Sequence, residues 1–245
     1  DGMPAGGMAA VLADRSTRAT HVDAVVALAV DNGFDGIDID YEQFAFADAR
    51  STWETTRPNW VAFITELADA LHAEGKVLTV SIPPIYDTDR TADSGYWVYD
   101  YGAIVEHVDR IRIMGYDYSV GEPGPIAPYE WVRTAVKAAK KAVDDDTKIV
   151  LGIGMYGRNW VVGTTGTCPA SAEGTAPVTL RGVEELAAKR NATPAHDPVT
   201  REAEFTYQLE VNDGTNACTQ TRQVHYIDEQ GVRARIDLAR EERIG

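Results

Sequence analysis

Apolar and polar positions alternate along this chain with two periods. Residues Ser16–Asp31 carry apolar side chains at helical spacing and end before Gly33. Phe34–Tyr41 alternates as a strand does. Pro58 suits a first turn and predicts a helix through about Glu74, closed by Gly75. Lys76–Ile82 predicts a strand that stops at Pro83-Pro84, since proline cannot continue a central strand. A short helix near Tyr101–His107 leads to a strand over Arg110–Tyr116. Pro128 starts a helix to about Val143, and Lys148–Gly154 follows as a strand. Strands alternating with helices in this way predict a parallel sheet covered by helices.

The pattern changes near Trp160. Gly, Thr, Pro and Ala dominate through Pro177, then a short helix is predicted over Leu180–Arg190. Phe205–Glu210 and Gln223–Ile227 read as a hairpin pair around an Asp213-Gly214 turn, and Val232–Glu242 returns to helix. The predicted organisation is a barrel portion over residues 1–160, a small α+β insertion over 161–230, and a return to the barrel over 231–245. No repeat of the solenoid type is visible.

Charge narrows the partners. The 23 Lys and Arg against 38 Asp and Glu leave a net charge of −15, which argues against nucleic acid and against an anionic membrane surface. The longest apolar run, Ala24–Val30, falls far short of the ~18 residues of a membrane helix. A neutral substrate fits better. Cys168 and Cys218 are too few for a cysteine-built scaffold; one disulfide of a secreted protein and two unpaired thiols both fit them. The start, Asp1-Gly2-Met3-Pro4, carries no leader pattern.

The chemistry concentrates in Asp35-Gly36-Ile37-Asp38-Ile39-Asp40-Tyr41-Glu42. Strand alternation puts Asp38, Asp40 and Glu42 on one face and Ile37, Ile39 and Tyr41 on the other. Three crowded carboxyls raise one another's pKa, so at least one proton is expected to remain near neutral pH. The competing readings are a solvated face on an edge strand and a carboxylate site for a hard cation. The five histidines show no ligand spacing, and no metal or other cofactor is assigned.

This octapeptide resembles the DGxDxDxE signature of the family 18 glycoside hydrolases, the chitinase-like group. Met114-Gly115-Tyr116-Asp117 is similar to the family's M-x-Y-D element, and Met155-Tyr156-Gly157-Arg158-Asn159-Trp160 resembles its Y-G-R-x-W element. Tyr41-Glu42-Gln43 and Val80-Ser81-Ile82-Pro83-Pro84 lean toward bacterial cell-wall and spore-lytic members. The resemblance implies a TIM (β/α)8 barrel that cleaves β-1,4 bonds next to N-acetylglucosamine with retention, using the substrate's acetamide as nucleophile. Chitin and peptidoglycan are both compatible substrates, and the implied location is secreted or associated with the bacterial cell wall.

The resemblance also implies roles. Glu42 is the general acid, Asp40 holds the acetamide N–H, and Asp38 shares a proton with Asp40. Tyr116 and Asp117 grip the distorted sugar, Tyr156 and Arg158 line subsites, and Met114 packs beneath the sugar. Asp35 and Gly36 are structural. Of the aromatics Trp53, Trp60, Tyr96, Trp97, Tyr99, Trp131 and Trp160, Trp97 and Trp160 are the better sugar platforms, whereas Trp60 belongs to the core. Each role has a plainer counterpart: Met114 and Tyr116 as interior packing, Asp117 as a loop cap, Arg158 as an ion-pair partner of Asp117. The rival functions are a chitinase-like lectin that binds without hydrolysis, which the presence of Glu42 disfavours, and a metal-dependent hydrolase.

Length then reads differently. A whole barrel takes about 250 residues, close to the 245 present. In the family, however, the acid strand is the fourth, and here one loop and one helix precede it. The barrel is therefore expected to be incomplete at both ends, and the chain alone to fold poorly or lack activity.

Overall fold

Parallel neighbours need crossover connections, and the helices between the early strands supply them. The computed structural model describes Met3–Gly245; Asp1 and Gly2, the first two residues read above for a leader, lie outside the described residues. In chain order the elements are helices α1 (Gly7–Ala13) and α2 (Arg15–Asp31), strand β1 (Gly36–Ile39), helices α3 (Gln43–Phe46) and α4 (Trp53–Ala73), and strand β2 (Val77–Ile82). Helix α5 (Tyr101–Ile104), strand β3 (Arg110–Gly115), helix α6 (Tyr129–Ala142) and strand β4 (Ile149–Ile153) follow. Then come strands β5 (Tyr156–Gly166) and β6 (Ala176–Thr179), helix α7 (Leu180–Lys189), strands β7 (Ala195–Asp197), β8 (Glu202–Asn212) and β9 (Ala217–Tyr226), and helix α8 (Glu229–Glu242).

The chain divides into two compact units. The first takes the residues up to Met114, Thr134–Gly152 and Glu242–Gly245. Its sheet runs β1-β2-β3-β4, with β1 parallel to β2 and β2 parallel to β3. Gly245 exchanges backbone bonds with Ile149 and Leu151 at the β4 edge. Ile39, Leu78, Val80, Ile82, Ile111 and Ile113 face the core, where α4 contributes Trp53, Trp60, Phe63, Ile64, Leu67 and Leu71. Trp60 is fully buried, and its indole N–H donates to the Tyr99 carbonyl at 2.9 Å, so the core assignment holds.

Four local expectations change. Two helices, not one, precede the acid strand. Helix α4 begins five residues before Pro58, which lies inside it. Burial of Trp53, whose indole donates to the Phe44 carbonyl at 2.6 Å, together with Thr56 on the face that Trp60 uses, outweighs the backbone bond that proline forfeits. The acid strand ends at Ile39 rather than Tyr41. The other change is in the second unit, where the Gly/Thr-rich stretch after Trp160 forms sheet.

That unit takes Gly115–Arg133 and Ile153–Glu241. Its antiparallel sheet runs β6-β5-β9-β8-β7. Strand β5 already includes Tyr156–Trp160, which the sequence reading left with the barrel portion. Glycine and threonine hid this strand, because its order comes from a long ladder with β9. The predicted hairpin is present as β8 and β9, longer than expected, with Gly214 at φ 90° in the turn. Helix α7 covers the sheet through Val183 and Ala187 against Phe205, Tyr207 and Val224. Cys168 and Cys218 form a disulfide with Cα atoms 4.7 Å apart, which settles the two readings of these residues.

Candidate active site

Gly36 sets the position of the acid row. A Cβ there would lie 2.3 Å from the Val77 carbonyl oxygen, so only glycine lets β1 approach β2 this closely. Asp35 accepts the Val77 N–H through its backbone carbonyl at 3.0 Å.

Asp38 is the member of the row that lies within β1. The alternation expected to carry all three acids stops at Ile39, and Asp40 and Glu42 lie beyond the strand, before α3. Glu42 has helical dihedrals (φ −93°, ψ −7°) at the start of α3. Its backbone carbonyl accepts from Ala45 at 3.0 Å and Phe46 at 3.1 Å. Glu42 is exposed.

Partners that the sequence reading did not single out surround the row. Ser81 on β2 donates to both Asp38 carboxylate oxygens, at 3.0 and 3.1 Å. Arg112 on β3 forms an ion pair with Asp38. Alternation was the available signal, because Arg112 shares the Met114 side of its strand and Ser81 the Thr79 side of its own. Asp40 is held above the usual carboxylate range, first by partial desolvation and then by the charge of Asp38, with Arg112 opposing. Buried Tyr99 donates to the Tyr41 carbonyl at 2.6 Å. Its phenol is pushed far up, by burial first and then by the charge of Glu42, with Asp40 contributing less.

Met114 is buried at 6% exposure. Trp97 is half-buried and packs edge-on against Trp53 with centroids 5.3 Å apart. It lines a cavity of about 150 Å³ with Arg90, Asp100 and Tyr101. Trp160 is only 3% exposed, so its ring fills space within the fold and the expected sugar platform is corrected.

In the second unit, Asp117 collects its own partners. It accepts from the Tyr156 hydroxyl and pairs with Arg158 at 2.5 Å. Tyr116 meets Tyr156 edge-on at 6.3 Å. Burial, then the bond to Asp117, raises the Tyr156 phenol, which stays a neutral donor. Asp117 adopts φ 59°, a left-handed conformation uncommon for a residue other than glycine. The ion pair first entertained as the plainer reading of Arg158 is therefore present.

The acid row thus belongs to the first unit and the Tyr-Asp-Arg group to the second. The chain belongs to the glycosyl hydrolases family 18, whose pattern matches residues 5–245. Its fold class is the family's α/β barrel. A Bacillus subtilis protein named as a sporulation-specific glycosylase, YdhD, is 33% identical over 156 residues, covering 62% of this chain and 34% of that protein. Chitinase C of Streptomyces lividans is 30% identical over 180 residues, covering 66% of this chain and 28% of its own length. The crystal structure of a chitinase from Chromobacterium violaceum superimposes with a TM-score of 0.75 at 26% identity, covering 94% of this chain and 65% of that one. The chain thus spans about a third of the first of these two curated relatives and little more than a quarter of the second. Among the described residues no helix is long and apolar enough to cross a membrane.

Proposed function

We propose that the parent activity is retaining hydrolysis of β-1,4 bonds next to N-acetylglucosamine, with the substrate's acetamide as nucleophile and bacterial peptidoglycan as the glycan. One observation carries this reading: an exposed glutamate, Glu42, follows an acid pair in which Asp40 is held above its usual range. Glu42 protonates the glycosidic oxygen as the acetamide oxygen attacks the anomeric carbon, and later takes a proton from the water that opens the intermediate. Asp40 accepts the acetamide N–H and balances the positive charge that develops on the ring formed. Asp117, Tyr156 and Arg158 grip the sugar as a preformed hydrogen-bonding group, with Tyr116 set edge-on against Tyr156. Met114, nearly buried, supports packing beneath it.

The spore glycosylase among the relatives and the Tyr41-Glu42-Gln43 context support peptidoglycan over chitin. The Cys168–Cys218 disulfide supports an oxidising, extracellular setting. Purified peptidoglycan and chitin digested in parallel, with mass analysis of the reducing ends, test the reading. New N-acetylglucosamine ends from peptidoglycan are expected. Muramic-type ends, or release from chitin alone, would overturn the substrate assignment.

A further inference from the structure

Asp40 and Glu42 stand beyond Ile39, the last residue of β1 in register with β2, so the sheet ladder does not fix them. The residue between them carries the anchorage instead. The Tyr41 hydroxyl and His21 Nε2, which reaches over from α2, share a hydrogen bond of 2.6 Å. Both rings stack on buried Phe63 of α4, with centroids 5.4 Å away for His21 and 5.8 Å for Tyr41. The Tyr41 carbonyl separately accepts the Tyr99 hydroxyl at 2.6 Å, so side chain and main chain are each held. Burial lowers the pKa of the His21 ring and raises that of the Tyr41 phenol, which keeps both uncharged near neutral pH. Further along, the Gln43 amide donates to the Met3 carbonyl at 2.7 Å, and the Phe44 carbonyl accepts from Trp53. The stretch from Asp40 to Phe44 is thus pinned at Tyr41, Gln43 and Phe44, and the two acids are carried between the pins.

We propose that His21 is a positioning residue: acting through Tyr41, it holds the segment that carries Asp40 and Glu42 in the geometry that proton transfer needs. Such transfer tolerates little misplacement, since an error of about 1 Å costs on the order of 100-fold in rate. A bond from a helix outside the sheet supplies the order that the strand, ending at Ile39, does not. The catalytic consequence rests on the function proposed above; the hold on the segment does not.

Hydrogen exchange of the full chain reads the hold without substrate. The Ala45 and Phe46 amides donate to the Glu42 carbonyl and report on its order. They are expected to exchange about fivefold faster in Tyr41→Phe and His21→Leu, while the Leu67 and Leu71 amides of α4 keep their wild-type rates. His21→Gln, which can still bond the phenol, restores most of the protection. On a β-1,4 N-acetylglucosamine oligomer, kcat is expected to fall about tenfold in the first two variants, with KM within about twofold, and to recover in His21→Gln. Tyr41→Phe removes only the hydroxyl oxygen and serves if His21→Leu fails to fold. Unchanged exchange at Ala45 and Phe46 in the variants that fold, equal loosening of α4, or no recovery in His21→Gln would overturn the proposal. Faster exchange with no hydrolysis even by the wild type would uphold the hold on the segment and sink the function instead. Faster exchange with an unchanged kcat would overturn the catalytic consequence.

Discussion

Glu202 and Arg235 meet at 3.0 Å inside the second unit, their side chains 1% and 0% exposed. Glu202 also accepts the backbone N–H of Ile126 at 2.7 Å and of Ala127 at 2.6 Å. Arg235 donates to the carbonyls of Gly231, Arg201 and Ala127. The pair thus ties the segment before α6 to β8 and α8. Removing one partner strands a buried charge, so Glu202→Ala is expected to cost about 3–5 kcal/mol in denaturant unfolding. The double variant Glu202→Ala/Arg235→Met should lose less than the sum of the two single changes. Additive losses would show that the two side chains act independently.

Glu42→Gln keeps the size and hydrogen-bonding shape of the side chain while removing the transferable proton. Hydrolysis of peptidoglycan or an N-acetylglucosamine oligomer should fall by about 100-fold or more. Folding and oligosaccharide binding, read by thermal melting and calorimetry, should change little. Undiminished turnover would refute the assignment of Glu42 as the acid.

The Cys168–Cys218 bridge closes a loop of sequence separation 50 and ties the chain after β5 to β9. Loop-closure entropy sets its contribution at about 4 kcal/mol. Reduction, or Cys168→Ser with Cys218→Ser, should lower the stability of the second unit toward that extent. Protection of β5 and β9 amides in hydrogen exchange is the measurement that localises the loss.

Glu66 and Arg18 couple α4 to α2, with guanidinium donors at 2.8 and 3.0 Å from the carboxylate. The Arg18 hydrogen bond, more than any other influence, holds the Glu66 carboxyl below its usual range. The unfolded chain therefore binds this proton more readily than the folded one. The contribution is present above the ordinary glutamate range and is lost as pH falls through the lowered folded value. Urea unfolding from pH 7 to pH 3 should show this loss in the wild type and a shallower one in Arg18→Gln. Parallel pH curves would rule out the linkage.

The early strands and helices could be read from the chain because their signals are local. The Gly75 stop, the Pro83-Pro84 stop and the apolar strands Val77–Ile82 and Arg110–Gly115 each act within a few residues. The second sheet was harder to read. In Tyr156–Gly166 the glycines and threonines give little intrinsic preference, and a ladder from β9 makes the strand. Trp160 illustrates the same limit: a tryptophan near a strand end looks like a platform until packing covers it.

The sequence by itself determined the family and the residues that carry its acid row, because a motif of glycine and spaced carboxylates is written in consecutive positions. Tertiary structure decided the rest. It ended β1 at Ile39, placed Glu42 at the mouth of a short helix, joined Cys168 to Cys218, and set Arg112 against Asp38 across 74 residues of chain. Contacts of that range have no local signature. They arise when separate strands pair in one register and bring opposite charges within hydrogen-bonding distance.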